Sequence, residues 1–197
     1  MNVSRFYWAR LISDLVSPPV VWAVMIFPIA FREADSEAQA MLWGLTYGVL
    51  VCLIPGLYIA WMVRRGSITD IHMRLREERL RPFLVSIACT GLAWWALRLM
   101  GAPSVVPLVA IVTLVQLATM AVITLVWQIS IHTMSITSAV VATGILFGVG
   151  PALLVSPLVP LVGAARLKLQ RHTLAQVIAG ILVGALVTVM LYAVAVA

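Results

Sequence analysis

The chain has 197 residues, of which 63% are hydrophobic and only 10% charged, and its 13 Lys and Arg outweigh 7 Asp and Glu for a net charge of +6. A mean hydropathy of +1.09 lies far outside the composition of water-soluble domains. Soluble enzymes and nucleic-acid-binding modules are thereby excluded, and an integral membrane protein is left, with membrane lipids as its surroundings and partners.

The first element, residues 1–15, interleaves Phe6, Trp8, Leu11, Ile12 and Leu15 with Arg5, Arg10 and Asp14. No compact apolar core with a small-residue cleavage site follows the arginines, so an interfacial helix is predicted rather than a cleaved leader. Apolar runs come next near residues 17–31, 41–63, 83–101 and 104–127, and a further one fills 173–197. Each reaches or approaches the roughly 20 residues that cross a hydrocarbon core. Residues 133–165 are apolar too, but Gly150-Pro151, Pro157 and Pro160 interrupt them. Gly-Pro is a strong turn signal, so two short helices are predicted there rather than one long kinked one. The expected fold is an all-α polytopic transmembrane helical bundle of six to seven membrane helices plus the N-terminal interfacial helix. It forms a single domain over residues 1–197, with the bundle at 16–197.

Several features read as scaffold. Cys52 and Cys89 fall inside apolar spans and lack the closely spaced partners of a zinc site. Gly44/Gly48, Gly144/Gly148 and Gly180/Gly184 are each spaced for close helix packing. Thr113, Gln116 and Thr124 suit interhelical hydrogen bonds, the alternative being a cleft for a lipid chain.

Alternating spans place the N-terminus and residues 64–82, 128–133 and 166–172 on one side of the membrane, with all three histidines, His72, His132 and His172. Short cytoplasmic loops collect Lys and Arg. The histidine side carries Arg5, Arg10, Arg64, Arg65, Arg76, Arg79, Lys168 and Arg171, against Arg32 and Arg98 on the other. The expectation is a prokaryotic plasma membrane with the histidine side cytoplasmic.

Three polar stretches on that side carry chemistry. Residues 70–82 hold Arg74 and Arg81, which on a continuous helix would lie two turns apart on one face. They suit either a positive loop laced with Glu77 and Glu78, or a guanidinium clamp for phosphate oxygens. In the second stretch, Ser130-Ile131-His132-Thr133 precedes a helix of small residues. Ser130 or Thr133 there is a helix cap, or Ser130 and the helix N–H groups hold an anion while His132 gives a proton. The third runs from Arg166 to Gln176, with His172 and Gln176 spaced to meet on one helix face. It is a basic helix end capped by Thr173, or a histidine oriented by an amide with its other ring nitrogen available for chemistry.

In order and spacing these stretches resemble the type 2 phosphatidic acid phosphatase (PAP2) superfamily, whose signatures are K-x6-R-P, P-S-G-H and S-R-x5-H-x3-D. Arg74-x6-Arg81-Pro82 matches the first with Arg for Lys, and Ser130-Ile131-His132 the second with Ile129 for the proline and Ile131 for the glycine. Ala165-Arg166-x5-His172-x3-Gln176 matches the third with Ala for Ser and Gln for Asp. The resemblance covers roughly residues 40–190. It implies a membrane phosphatase acting without metal or cofactor on a lipid phosphate or an isoprenyl diphosphate. Its catalytic residues would be His172 as the nucleophile that becomes phosphohistidine, His132 as the acid and Gln176 as the orienting group. Arg74, Arg81, Ser130, Ile131 and Arg166 would bind phosphate. Gln176 brings no charge and Ile131 restricts backbone approach, so a catalytically inactive, headgroup-binding membrane subunit is the alternative. A magnesium-dependent prenyltransferase is disfavoured because Asp70, Glu77 and Glu78 form no paired aspartate motif.

Overall fold

The computed structural model describes residues 6–71, 73 and 75–196, and among them every regular element is a helix. The order is α1 (Tyr7–Leu15), α2 (Pro18–Glu33), α3 (Glu37–Tyr47), a π-helical segment (Gly48–Leu53), α4 (Ile54–Arg64), a 3-10 turn (Arg76–Glu78), α5 (Leu80–Leu99), α6 (Val105–Thr124), α7 (Ile131–Phe147), α8 (Val149–Val155), α9 (Leu158–Lys168) and α10 (Leu174–Val196). Among the described residues five stretches are long and apolar enough to cross a membrane: Glu37–Arg64, Leu80–Leu99, Val105–Thr124, Val149–Lys168 and Leu174–Ala195. The bent pair α1 and α2, taken as one span, makes a sixth, while α7 is apolar but shorter. An all-helical chain with about five such helices has the architecture of an integral membrane protein.

The chain divides into two compact units, one comprising residues up to Val21 together with Gln128 onward, the other Trp22–Trp127. In the second, α5 and α6 form a helical hairpin, and α3, the π-helical segment and α4 pack on α5. Buried Tyr47 donates to Thr113 Oγ1 at 2.7 Å, whose own hydroxyl donates to Val109 O at 2.9 Å. The π-helical segment has a local cause. Pro55 has no N–H to give the carbonyl of Val51 and its ring crowds that position, so the preceding turn widens.

The first unit is built around α7, whose residues His132–Ala139 are all buried. It packs on α8, α9 and α10, and α1 lies along α9. Val21, Ile136, Ala139 and Val162 form its apolar core, flanked by Ile12, Val16, Leu158 and Val159. The backbones of α7 and α10 come very close. A Cβ on Gly180 would collide with Ser130 O and Thr133 Oγ1, and one on Gly184 with Met134 O. Hydroxyls exploit that proximity: Thr133 Oγ1 lies 3.1 Å from both Ser130 O and Val177 O, and Ser138 Oγ lies 2.9 Å from Met134 O and 3.1 Å from Gly184 O. Polar groups in an apolar core are thus paired across the helix crossing.

The interruption expected at Gly150-Pro151 falls two residues earlier. Gly148 adopts φ 94°, open chiefly to glycine, and separates α7 from α8, so Pro151 sits in the first turn of the new helix, where its missing N–H costs nothing.

Candidate functional site

Six of the eight residues expected to bind phosphate or act on it lie in the first unit. Ser130 is the N-cap of α7, its Oγ accepting from Thr133 N at 3.4 Å, and its own N–H donates to Gln176 O at 3.0 Å. That last bond joins the start of α7 to the start of α10, bringing the Ser130-Ile131-His132 and His172–Gln176 segments together. His132 is buried, whereas Ile131 is half-buried. Ser130 itself is 0% exposed, so its cap role is the one the geometry displays.

Thr173 and Gln176 cap α10 reciprocally. Thr173 Oγ1 accepts from Gln176 N at 3.4 Å, and Gln176 Oε1 accepts from Thr173 N at 3.1 Å, a T-x-x-Q capping box. Gln176 Oε1 also lies 3.1 Å from His172 Nδ1. The amide atom that receives the Thr173 N–H has to be the oxygen, so His172 Nδ1 carries the hydrogen and donates to it. In the neutral ring the lone pair therefore resides on Nε2. His172 was expected to share a helix with Gln176, but α10 starts at Leu174 and His172 precedes it. The capping box, not helical stacking, sets their approach.

Arg166 lies in the last turn of α9 and is 2% exposed. Its Nη1 donates to Ser13 Oγ at 2.6 Å. Beyond it α9 ends in a tight turn, with Gln170 N bonded to Leu167 O at 2.9 Å and Arg171 N to Arg166 O at 3.1 Å. Gln170 takes the left-handed conformation, φ 53°, that glycine usually fills in such a C-cap. The turn carries the chain from Arg166 to His172 in the fewest residues.

The first stretch departs from expectation. Arg74 and His72 lie outside the described residues. Among the described residues 75–81 no continuous helix runs: a 3-10 turn covers Arg76–Glu78 and α5 begins at Leu80. Arg81 is the second residue of α5, exposed, in the unit formed by Trp22–Trp127, and Pro82 is its third. The reason is a set of loop bonds. Arg79, buried, donates from Nε to Met73 O at 2.9 Å, and Met73 adopts φ 45°. Glu78 accepts from Thr69 N at 2.9 Å and from Thr69 Oγ1 at 3.0 Å. Burial lowers the Arg79 pKa, and the charge of Asp70 partly offsets this. Glu78 and Arg79, which composition marks only as loop charges, turn out to be the residues that shape this loop.

The arrangement in the first unit therefore offers an imidazole of fixed tautomer, a second buried imidazole and a buried guanidinium. With the apolar spans they mark an integral membrane protein whose first unit carries buried histidine and arginine side chains. Compared with models of known protein families, with curated proteins and with solved structures, the chain has no match.

Proposed function

We propose that the chain is an integral membrane phosphatase of prokaryotic plasma membrane that hydrolyses a lipid phosphate or isoprenyl diphosphate through a phosphohistidine, without metal. The observation that carries this reading is the 3.1 Å contact of His172 Nδ1 with Gln176 Oε1, which leaves the ring lone pair on Nε2. Nε2 attacks phosphorus as the bond to the leaving oxygen breaks, and His132 supplies the proton that oxygen takes. Water then cleaves the phosphorus–nitrogen bond. Arg166 holds non-reacting phosphoryl oxygens, where charge must be stabilised throughout the transfer.

In this reading the membrane helices number seven: α2, the span Glu37–Arg64, α5, α6, α7, the span Val149–Lys168 and α10. At 16 residues for α2 and 17 for α7, both are shorter than the roughly 20 residues of a full span, which shelter of their ends by the bundle or local thinning accommodates. The helix α1 lies in the interface. Its Tyr7, Leu11 and Leu15 are exposed beside Arg10, while Ala9 and Ser13 face inward. The histidine side faces the cytoplasm.

The test is phosphate release from phosphatidic acid and farnesyl diphosphate in detergent, with His172→Ala as control. Release by the wild type and a fall to background in the variant are expected, and equal release by both would sink the enzyme reading. A second reading, a phospholipid-headgroup-binding subunit without activity, is favoured by Gln176, which gives His172 an uncharged oxygen as its partner. It predicts headgroup binding with no release by either protein.

A further inference from the structure

The geometry points to Ser13, on the N-terminal helix, as the positioning residue for the Arg166 guanidinium. This rests on the reading of Arg166 as an anion-holding group. Ser13 is 1% exposed and Arg166 2% exposed, and they meet across 153 residues of sequence at 2.6 Å, Arg166 Nη1 donating to Ser13 Oγ. A buried hydroxyl costs free energy unless it is hydrogen-bonded, and a buried guanidinium needs fixed acceptors still more. Each therefore fixes the other. The choice of a hydroxyl matters. It is neutral, so it orients the planar fork without cancelling the positive charge, whereas a carboxylate in its place would neutralise the group that has to attract phosphate.

Two further observations tie the pair to the candidate site rather than to packing alone. The helix that carries Arg166, α9, has no hydroxyl side chain, so the contact from α1 supplies one beside this arginine. The backbone of Arg166 is bonded in turn to Arg171 N at 3.1 Å, immediately before His172. One short turn thus ties the main chain at Arg166 to the main chain that enters His172. The lever on the other side is α1, held along α9, with Ile12 and Val16 against the unit's apolar core. The N-terminal helix becomes part of the anion site through Ser13.

Ser13→Ala, Ser13→Thr, Arg166→Ala and the double variant Ser13→Ala/Arg166→Ala are purified in detergent beside wild type. Two readouts are taken: phosphate release from phosphatidic acid, split into kcat and KM, and binding of inorganic phosphate by calorimetry. Thermal unfolding checks that each variant is folded. Ser13→Ala is expected to raise KM and weaken phosphate binding about tenfold, Ser13→Thr to recover most of the loss, and Ser13→Ala to add nothing once Arg166 is Ala. Unchanged phosphate binding in Ser13→Ala, or an equal loss in the Arg166→Ala background, overturns the positioning role while leaving the phosphatase reading intact. Ser13-dependent phosphate binding without release above the His172→Ala background keeps the positioning role and removes the phosphatase. No phosphate binding by the wild type removes the positioning role as well.

Discussion

At Gln176 one residue serves three partners. Its Oε1 receives both His172 Nδ1 and Thr173 N at 3.1 Å, and its backbone oxygen receives Ser130 N at 3.0 Å. An amide at this position fixes the tautomer of His172 but gives no charge to stabilise the ring when it becomes cationic, which a carboxylate does in a Ser-His-Asp triad. Glutamate keeps both the length and the capping box, since Glu and Gln are alternatives at that position. Gln176→Glu is therefore expected to accelerate phosphate release at least about tenfold, a gain modest beside the triad precedent. The sign of the accompanying pH effect follows from charge. A carboxylate beside an imidazole favours its protonated form and raises its pKa by about one unit or more. The neutral nucleophile is then lost at a higher pH on acidification, so the acid limb of kcat/KM against pH moves upward in the variant. An unmoved limb would show that His172 does not titrate in that profile. By contrast, the link from Ser13 to Arg166 left no trace in the spacing of residues. It joins positions 153 apart, and local pattern carries no information about such a pairing.

Helix by helix, the glycine pairs show what local spacing conveys and what it omits. Gly44/Gly48, Gly144/Gly148 and Gly180/Gly184 look alike in sequence, yet only the last pair brings two backbones together. Gly44 meets the ring of Phe27, Gly48 has nothing within 4 Å of where a Cβ would stand, and Gly148 serves a turn. Which face of a helix meets another helix depends on tertiary packing, and in a chain apolar on every side no moment singles out that face. Gly184→Ala places its methyl against Met134 O, a backbone atom that cannot rotate away. It is expected to destabilise the protein by about 1–3 kcal/mol, the usual cost of overpacking, whereas Gly48→Ala is expected to change stability by no more than about 0.5 kcal/mol. Unfolding of the two variants in mixed micelles compares them directly, and equal effects would contradict the crossing described here. Four of the spans among the described residues, Glu37–Arg64, Leu80–Leu99, Val105–Thr124 and Leu174–Ala195, were legible as apolar runs, because a run of about 20 apolar residues has few soluble alternatives, whereas Val149–Lys168 was hidden in a stretch whose prolines pointed to two short helices. The loop at residues 64–82 was not. Glu78 reaches Thr69 and Arg79 reaches Met73 there, bonds between residues that no helical spacing pairs.

For the molecule in its membrane, orientation is the property on which the choice of lipid leaflet depends, and each unit bears on it separately. In the unit formed by Trp22–Trp127, the span Glu37–Arg64 has Asp35 and Glu37 at one end and Arg64 and Arg65 at the other. Arg32, the cation nearest the acidic end, pairs with Glu33 at 3.4 Å, which reduces its weight as a topological signal. Arg65 instead stacks over Trp61 at 4.6 Å, an aromatic and a cation together at a boundary. In the other unit, the span Val149–Lys168 closes on Arg166 and Lys168, followed by Arg171, while its opposite end carries no charge. On the proposed orientation, the positive-inside rule assigns the cationic end of each of these spans, taken by itself, to the cytoplasm. The check is labelling with an impermeant maleimide after Cys52 and Cys89 are replaced by alanine. Ser67→Cys and Ser104→Cys suit it, both positions being exposed at opposite ends of the spans that flank them. In intact cells Ser104→Cys is expected to label and Ser67→Cys to label only after permeabilisation. The reverse pattern would place the basic loop outside. The arginines there would then have to be retained for binding an anion rather than for topology, because the membrane potential and the insertion machinery both act against exporting them.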